Sequence, residues 1–355
     1  MLSARAPTSS MPDDLNAFMA TMAVPSQPLS VAGAARIVRD HYGLEASATR
    51  LTGERDENFR IHSGDGRDYV LKVAHPAEDP AIGDLTTAAL LHLEGRDPVL
   101  PCPRVMRARD ERTQVRFSDE AGVARSARLL SYLPGSPLVG AAASQRLRMA
   151  CGRLGGRLTR ALSSFTHPAA RRAIVWDVRY AAHLATLLEQ VPRFPYRREA
   201  IAVLERIVPR IDSRLAGLRH QIVHNDLNPR NILITAAGEI SGIIDFGDMT
   251  YTAVIADVAV TAAEHLPEDC SVGKQAAAAS ILDVANAYHE ELPLLPAELA
   301  MLDTLVAARL VANLVVHEWH VHRNPAGEHY QPLTADFIRH RLAIATELSF
   351  EAVGL

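Results

Sequence analysis

Hydrophobic and polar positions divide the chain into two parts with different periods. Across residues 30–42 the apolar positions Val31, Ala34, Ala35, Val38 and Tyr42 recur at helical spacing behind Ser30, and Gly43 ends the run. Residues 51–61 and 69–73 are extended stretches on either side of Ser63-Gly64-Asp65-Gly66, which predicts a β-hairpin. A helix follows over residues 83–95, and two more strands over 113–133 around Ala121-Gly122. Beyond Gly135-Ser136-Pro137 the period changes, and residues 142–165, 177–191, 198–219, 274–291 and 296–322 all show helical apolar spacing. One interruption, residues 221–248, holds the β-branched runs Ile222-Val223, Ile232-Leu233-Ile234 and 240–244, separated by polar loops.

The pattern predicts an α+β chain of two lobes, an antiparallel-sheet lobe over residues 29–134 and a mainly helical lobe over 135–355. Residues 1–28 contain Pro7, Pro12, Pro25 and Pro28 with little amphipathic order and read as a disordered leader, inside which Met11 or Met19 is an alternative start. With 355 residues, 48% of them hydrophobic, both lobes can bury a core. The net charge of -4 provides no basic field for nucleic acid or an anionic membrane, so small-molecule partners are expected. Cys102, Cys151 and Cys270 are too scattered for a disulfide framework or a zinc knuckle. There is neither an apolar run of about 18 residues nor a secretory pattern, and cytoplasm is the expected location.

The chemistry lies in the interruption. His224-Asn225-Asp226-Leu227-Asn228-Pro229-Arg230-Asn231 precedes a strand that ends in Asp245-Phe246-Gly247-Asp248. An Asp, an Asn five residues on, and Asp-Phe-Gly after a strand are the catalytic and metal loops of a kinase. Phosphoryl transfer to a hydroxyl needs a carboxylate to orient the nucleophile and accept its proton, and Asp226 is the candidate. Magnesium prefers oxygen ligands, which Asn231 and Asp245 supply. Lys72, in the apolar strand Tyr69-Val70-Leu71-Lys72-Val73, stands in kinase order before them as the nucleotide-phosphate lysine. The glycine-rich loop is replaced by Gly53-Glu54-Arg55-Asp56-Glu57-Asn58-Phe59, with the Asn58 amide as a phosphate contact, and Ser131 to Leu133 are the expected edge for the base of ATP or GTP. His317-Glu318-Trp319-His320 misses the metalloprotease spacing, because Val321 stands where the second histidine is needed.

These residues resemble the aminoglycoside phosphotransferase and choline kinase-like superfamily, and within it the hydroxylysine kinase group, over residues 29–345. Further matching segments are Phe165-Thr166-His167-Pro168-Ala169 and Trp176-Asp177. Asn228 stands where protein kinases usually carry a lysine. The resemblance implies a two-lobed protein-kinase-like fold, and a small-molecule kinase that uses Mg2+ with ATP or GTP on a hydroxylated amine or amino acid. For the acceptor's charged groups the candidates are Asp248, Glu264 and Asp269 after the metal loop and Glu318 and Arg323 on the late helix. It also implies an acid pairing Lys72 from the first helix. The usual spacing falls on Thr87 and Ala88, leaving Glu78 or Asp84 as substitutes. An aminoglycoside kinase and a nucleotide-binding regulator without catalysis are the alternatives.

Overall fold

The computed structural model describes residues 12–23, 28–53, 55–139, 144–325 and 330–350. Its first part runs α1 (Asp13–Ala23), α2 (Val31–Ile37), β1 (Ala46–Leu51), β2 (Glu57–Ser63), β3 (Asp68–Val73), α3 (Pro80–Arg96), β4 (Val105–Met106), β5 (Val115–Ser118) and β6 (Ala124–Ser131). The strands form one antiparallel sheet in the order β1-β2-β3-β6-β4, with β5 also paired to β6. Period-two alternation decides its faces. Phe59, Ile61, Tyr69, Leu71 and Val73 are buried in one core with Ala34, Ile37 and Val38, while Lys72 and its ladder partner Asn58 belong to the other face.

The second part is β7 (Ser136–Pro137), α4 (Gln145–Ala161), α5 (Leu184–Glu189), α6 (Arg197–Arg214), β8 (His220–Val223), β9 (Ile232–Ile234), β10 (Ile240–Ile243), β11 (Thr250–Ala253), α7 (Val254–Glu264), α8 (Lys274–Glu291), α9 (Pro296–Leu299), α10 (Leu302–Arg323) and α11 (Ala335–Glu347). Three short ladders, β9–β10, β7–β9 and β8–β11, frame the two polar loops. A shared core of α3 residues Leu85, Leu90 and Leu93 with Leu227, Ile243 and Phe246 joins the sheet part to those loops. Helix α4 lies so close to α8 that a Cβ on Gly152 would stand 2.3 Å from the Val284 carbonyl oxygen. The whole is a two-lobed, protein-kinase-like α+β fold. Among the described residues no helix is long and apolar enough to cross a membrane.

Several expectations change. The extended stretch 51–61 is two strands, with β1 ending at Leu51 and β2 starting at Glu57 around a turn. The long helix expected over 296–322 breaks at Ala300-Met301. Helix α7 was not expected, and every residue from Val254 to Ala263 is buried. The expected leader is corrected most. Residues 13–23 are helical, and Leu15, Phe18 and Met19, at helical spacing, are buried in the core of the helical lobe. Leu29, the first residue of the expected sheet lobe, is buried, its N–H donated to Glu57 Oε2 at 2.9 Å. Residues 1–11 and 24–27 lie outside the described residues.

Removing a buried phenylalanine side chain costs about 3–5 kcal/mol. Phe18→Ala should therefore lower the melting temperature by roughly 5 °C or more in a thermal scan, whereas a frayed leader would leave it unmoved.

Candidate active site

The loop between β8 and β9 starts with a residue in an unfavourable conformation. Asn225 has φ 63°, the left-handed region, and is fully buried. Its N–H donates to Asp257 Oδ1 at 2.8 Å, and Thr159 and Tyr288 hydroxyls donate to Asp257 Oδ2 at 3.1 Å each. Burial raises the Asp257 carboxyl above its ordinary range, since the donors around it are neutral. The chain then presents Asp226. Its Oδ2 accepts from Asn231 Nδ2 at 2.7 Å and Asn228 Nδ2 at 3.0 Å, and its Oδ1 pairs with Arg309 Nη2 at 3.0 Å. Burial pushes its carboxyl well above the usual range, Arg309 opposes that, and Asp248 and Glu264 add to it.

The second loop follows β10. Asp245 also has φ 61°, and its Oδ1 is 3.0 Å from Lys72 Nζ. Lys72 holds the Asp245 carboxyl far below the ordinary carboxylate range. Phe246 is buried against the His224 ring, centroids 4.8 Å apart, and Ile244 N–H donates to the Asn231 carbonyl at 2.9 Å, so the two loops are tied together. Arg172 donates to the Gly247 and Met249 carbonyls beyond them. The acid expected from the first helix is not the partner of Lys72. Asp56 Oδ2, from the turn between β1 and β2, lies 3.7 Å from Nζ and is itself held by Arg128 at 3.0 Å. Thr87 bonds the Gly83 carbonyl and Asp84 pairs with His167. Burial and the nearby Asp56 raise the Glu78 carboxyl to about 7.

Beside Asp226 opens a cavity of about 260 Å³. Trp176, Asp248, Glu264 and Arg309 line it with Asp226, and Asn228, Arg230, Asn313, His317 and Tyr330 complete its wall. Arg309 is the hub. Its Nε donates to Glu264 Oε1 at 2.7 Å, its Nη1 to the Trp176 carbonyl at 3.2 Å, and its Nη2 to Asp226. Asn313 Nδ2 shares Glu264 Oε1 at 3.0 Å. Asp248 Oδ1 is 2.6 Å from Arg55 Nη2.

Asp226, Asn231, Asp245, Lys72, Asp248 and Glu264 thus converge, whereas Asp269, Glu318, Arg323, the Ser131 hydroxyl and the Asn58 amide are engaged elsewhere. Exposed Asp269 accepts from Ser271 N–H at 2.8 Å and closes a turn. Glu318 accepts from Leu333 N–H at 2.9 Å, and exposed Arg323 lies 5.2 Å over the Trp319 ring at the far end of α10. Ser131 turns its N–H and its hydroxyl to the Arg104 backbone, both at 2.8 Å, so neither group faces a base. Leu133 packs over Gly242, where a Cβ would stand 2.9 Å from Leu133 Cδ1. The Asn58 amide donates to the Thr52 carbonyl at 3.2 Å and braces the turn. Arg309 and Asn313 were not expected. Their signal was a charge and an amide four residues apart within the otherwise apolar run 305–316.

A nucleotide kinase active site needs a base, a metal-binding pair and a phosphate lysine around one cleft, and the profile of the phosphotransferase enzyme family matches residues 47–299. The chain belongs to that family and is a phosphotransferase with an alcohol group as acceptor. It is 27% identical to hydroxylysine kinase of Mus musculus over 332 residues, 86% of either chain, and 27% identical to that of Bos taurus over 330 residues, 85% of either. Among solved structures it is similar to an amicoumacin kinase in complex with AMP-PNP, Ca2+ and Ami, with TM-score 0.64, 19% identity and coverage of 84% of this chain and 88% of that one. It is also similar to a microcompartment-associated aminopropanol kinase, with TM-score 0.62, 18% identity and coverage of 89% and 97%. These comparisons make it a small-molecule phosphotransferase.

His224 is fully buried, with Nδ1 accepting the Asp226 N–H at 3.3 Å, and burial lowers its pKa from 6.5 to about 4. Between those values the unfolded chain binds a proton that the folded chain does not, so folding stability should fall as pH drops through that window. Urea unfolding at pH 7 and pH 5 should show this fall, and His224→Gln should reduce it by up to about one proton's linkage.

Proposed function

We propose that the enzyme transfers the γ-phosphoryl group of ATP or GTP, with Mg2+, to a hydroxyl of an amino alcohol or hydroxy-amino acid, with a hydroxylysine-like acceptor favoured. The observation that carries this is the Asp226 carboxylate at the edge of a cavity of about 260 Å³ lined by both acids and arginines. A lining that carries both acids and arginines suits a zwitterion, whose ammonium and carboxylate need partners of opposite charge. An acceptor ammonium fits against Glu264 and the Trp176 ring, and a carboxylate against Arg230. The 27% identity to hydroxylysine kinases supports the same class.

Asn231 and Asp245 fit a divalent cation. Asn231 Nδ2 donates to both the Asp226 backbone carbonyl at 2.9 Å and its Oδ2, so the amide is oriented with Oδ1 on its other side, available as a ligand. The cation would neutralise phosphate charge when bound. Lys72 pairs with nucleotide phosphate, and Asp226 orients the acceptor hydroxyl and takes its proton as the new P–O bond forms. Asn228, Asn231 and Arg309 hold both Asp226 oxygens in place for that step.

Nucleotide consumption with magnesium and ATP or GTP should depend on hydroxylysine or a related amino alcohol, in a panel that includes choline and aminoglycosides. Asp226→Asn should cut that turnover at least about 100-fold while nucleotide still binds. Turnover that survives the substitution would remove Asp226 from the base role, and nucleotide binding without transfer to any acceptor would favour the non-catalytic regulator.

A further inference from the structure

Arg55 has no part in the transfer described so far, yet it reaches the centre of the cleft. It belongs to the turn between β1 and β2, where kinases lay a glycine-rich loop over the phosphates, and the described residues of this turn include one glycine, Gly53. The Arg55 guanidinium crosses from the sheet lobe to the second loop, with Nη2 2.6 Å from Asp248 Oδ1. Helix α1 supports it from the helical lobe, as the guanidinium carbon lies 5.1 Å from the centre of the buried Phe18 ring. It also stands close to the metal loop. A Cβ on Gly247 would be 3.5 Å from Arg55 Nη2 and 3.2 Å from Asp245 Oδ1. Arg55 therefore lies between the Lys72–Asp245 pair, where the nucleotide phosphates belong, and Asp248, which lines the cavity with Asp226.

A plain bridge between the lobes would account for the Asp248 contact alone. It would not call for an arginine beside the metal loop, in the turn where backbone donors usually meet the phosphates. We propose that Arg55 is a catalytic residue whose guanidinium binds an oxygen of the γ-phosphoryl group in the transition state, a role that rests on the kinase function proposed above. As the acceptor oxygen bonds to the γ-phosphorus, the bond from phosphorus to the β–γ bridging oxygen breaks. The electron pair of that bond leaves with the nucleoside diphosphate, and the hydroxyl proton passes to Asp226. Charge on the equatorial oxygens is then met by the planar fork of Arg55, while Lys72 stays on the phosphates that leave with the nucleoside diphosphate. Backbone N–H groups of a glycine-rich loop are replaced by one side chain that supplies full charge.

The test compares the affinity for MgADP alone with that for MgADP plus aluminium fluoride, a mimic of the transferring group, in the wild type, Arg55→Met and Arg55→Lys. The wild type should bind the aluminium fluoride complex far more tightly than MgADP. Arg55→Met should lose roughly 100-fold of that gain while its MgADP affinity stays within about 3-fold. Arg55→Lys, which keeps the charge without the fork, should lose less, and it serves as the probe if the methionine variant does not fold. Added guanidinium ion should restore part of the turnover of Arg55→Ala. Equal gains in all three proteins, or an equal loss of MgADP and aluminium fluoride binding, would reduce Arg55 to a structural bridge. A wild-type protein that binds no MgADP would overturn the kinase function itself, and this role with it.

Discussion

The hydrogen bond from the Asn225 N–H to Asp257 sits under everything else in the site. A left-handed asparagine costs on the order of 1 kcal/mol or more unless its surroundings enforce it, and here the enforcing group is a carboxylate on a helix buried along nearly its full length. That carboxylate is kept in place by Thr159 of α4 and Tyr288 of α8. Those two helices meet where Gly152 lets a backbone carbonyl approach. Close helix packing remote from the cleft therefore sets the direction in which Asp226 leaves the chain.

The charges of the cleft are organised as shared pairs. Lys72 stands between Asp245 and Asp56, Arg309 between Asp226 and Glu264, and Arg55 on Asp248. Arg309 is buried, and deleting one member of a buried pair costs more than the pair contributes, because the partner stays behind uncompensated. Each cation also links segments that the chain keeps far apart. Lys72 links the sheet to the second loop, and Arg309 links α10 to the first loop and to α7.

What was legible in the sequence was local. Asp226, Asn231 and Asp245 declare themselves by short spacings between β-branched strands, and the change from period two to helical spacing marks the change of lobe. Contacts that depend on packing were not legible. Asp56 replaces a helix acid as the partner of Lys72 because the turn before β2 folds back over β3, and no spacing rule carries that. Helix α7 follows directly on strand β11 with no loop between them, so no turn or proline marks its start. The prolines of residues 1–28 masked the apolar stripe Leu15, Phe18 and Met19. Asp269, Glu318 and Arg323 had suitable charge and order, yet their side chains cap a turn, hold a loop amide and cover a tryptophan ring.

The position of α10 bears on where a working enzyme begins and ends. The profile of the family matches from residue 47, after α1 and α2, to residue 299, before this helix. A fragment trimmed to that matched span would keep Asp226, Asn231, Asp245 and Lys72 but lose Arg309 and Asn313, and with them a partner of Asp226, both hydrogen-bond donors to Glu264 and part of the cavity wall. The groups proposed to carry the transfer lie inside the matched span, whereas much of what shapes the cavity beside Asp226 is supplied from outside it.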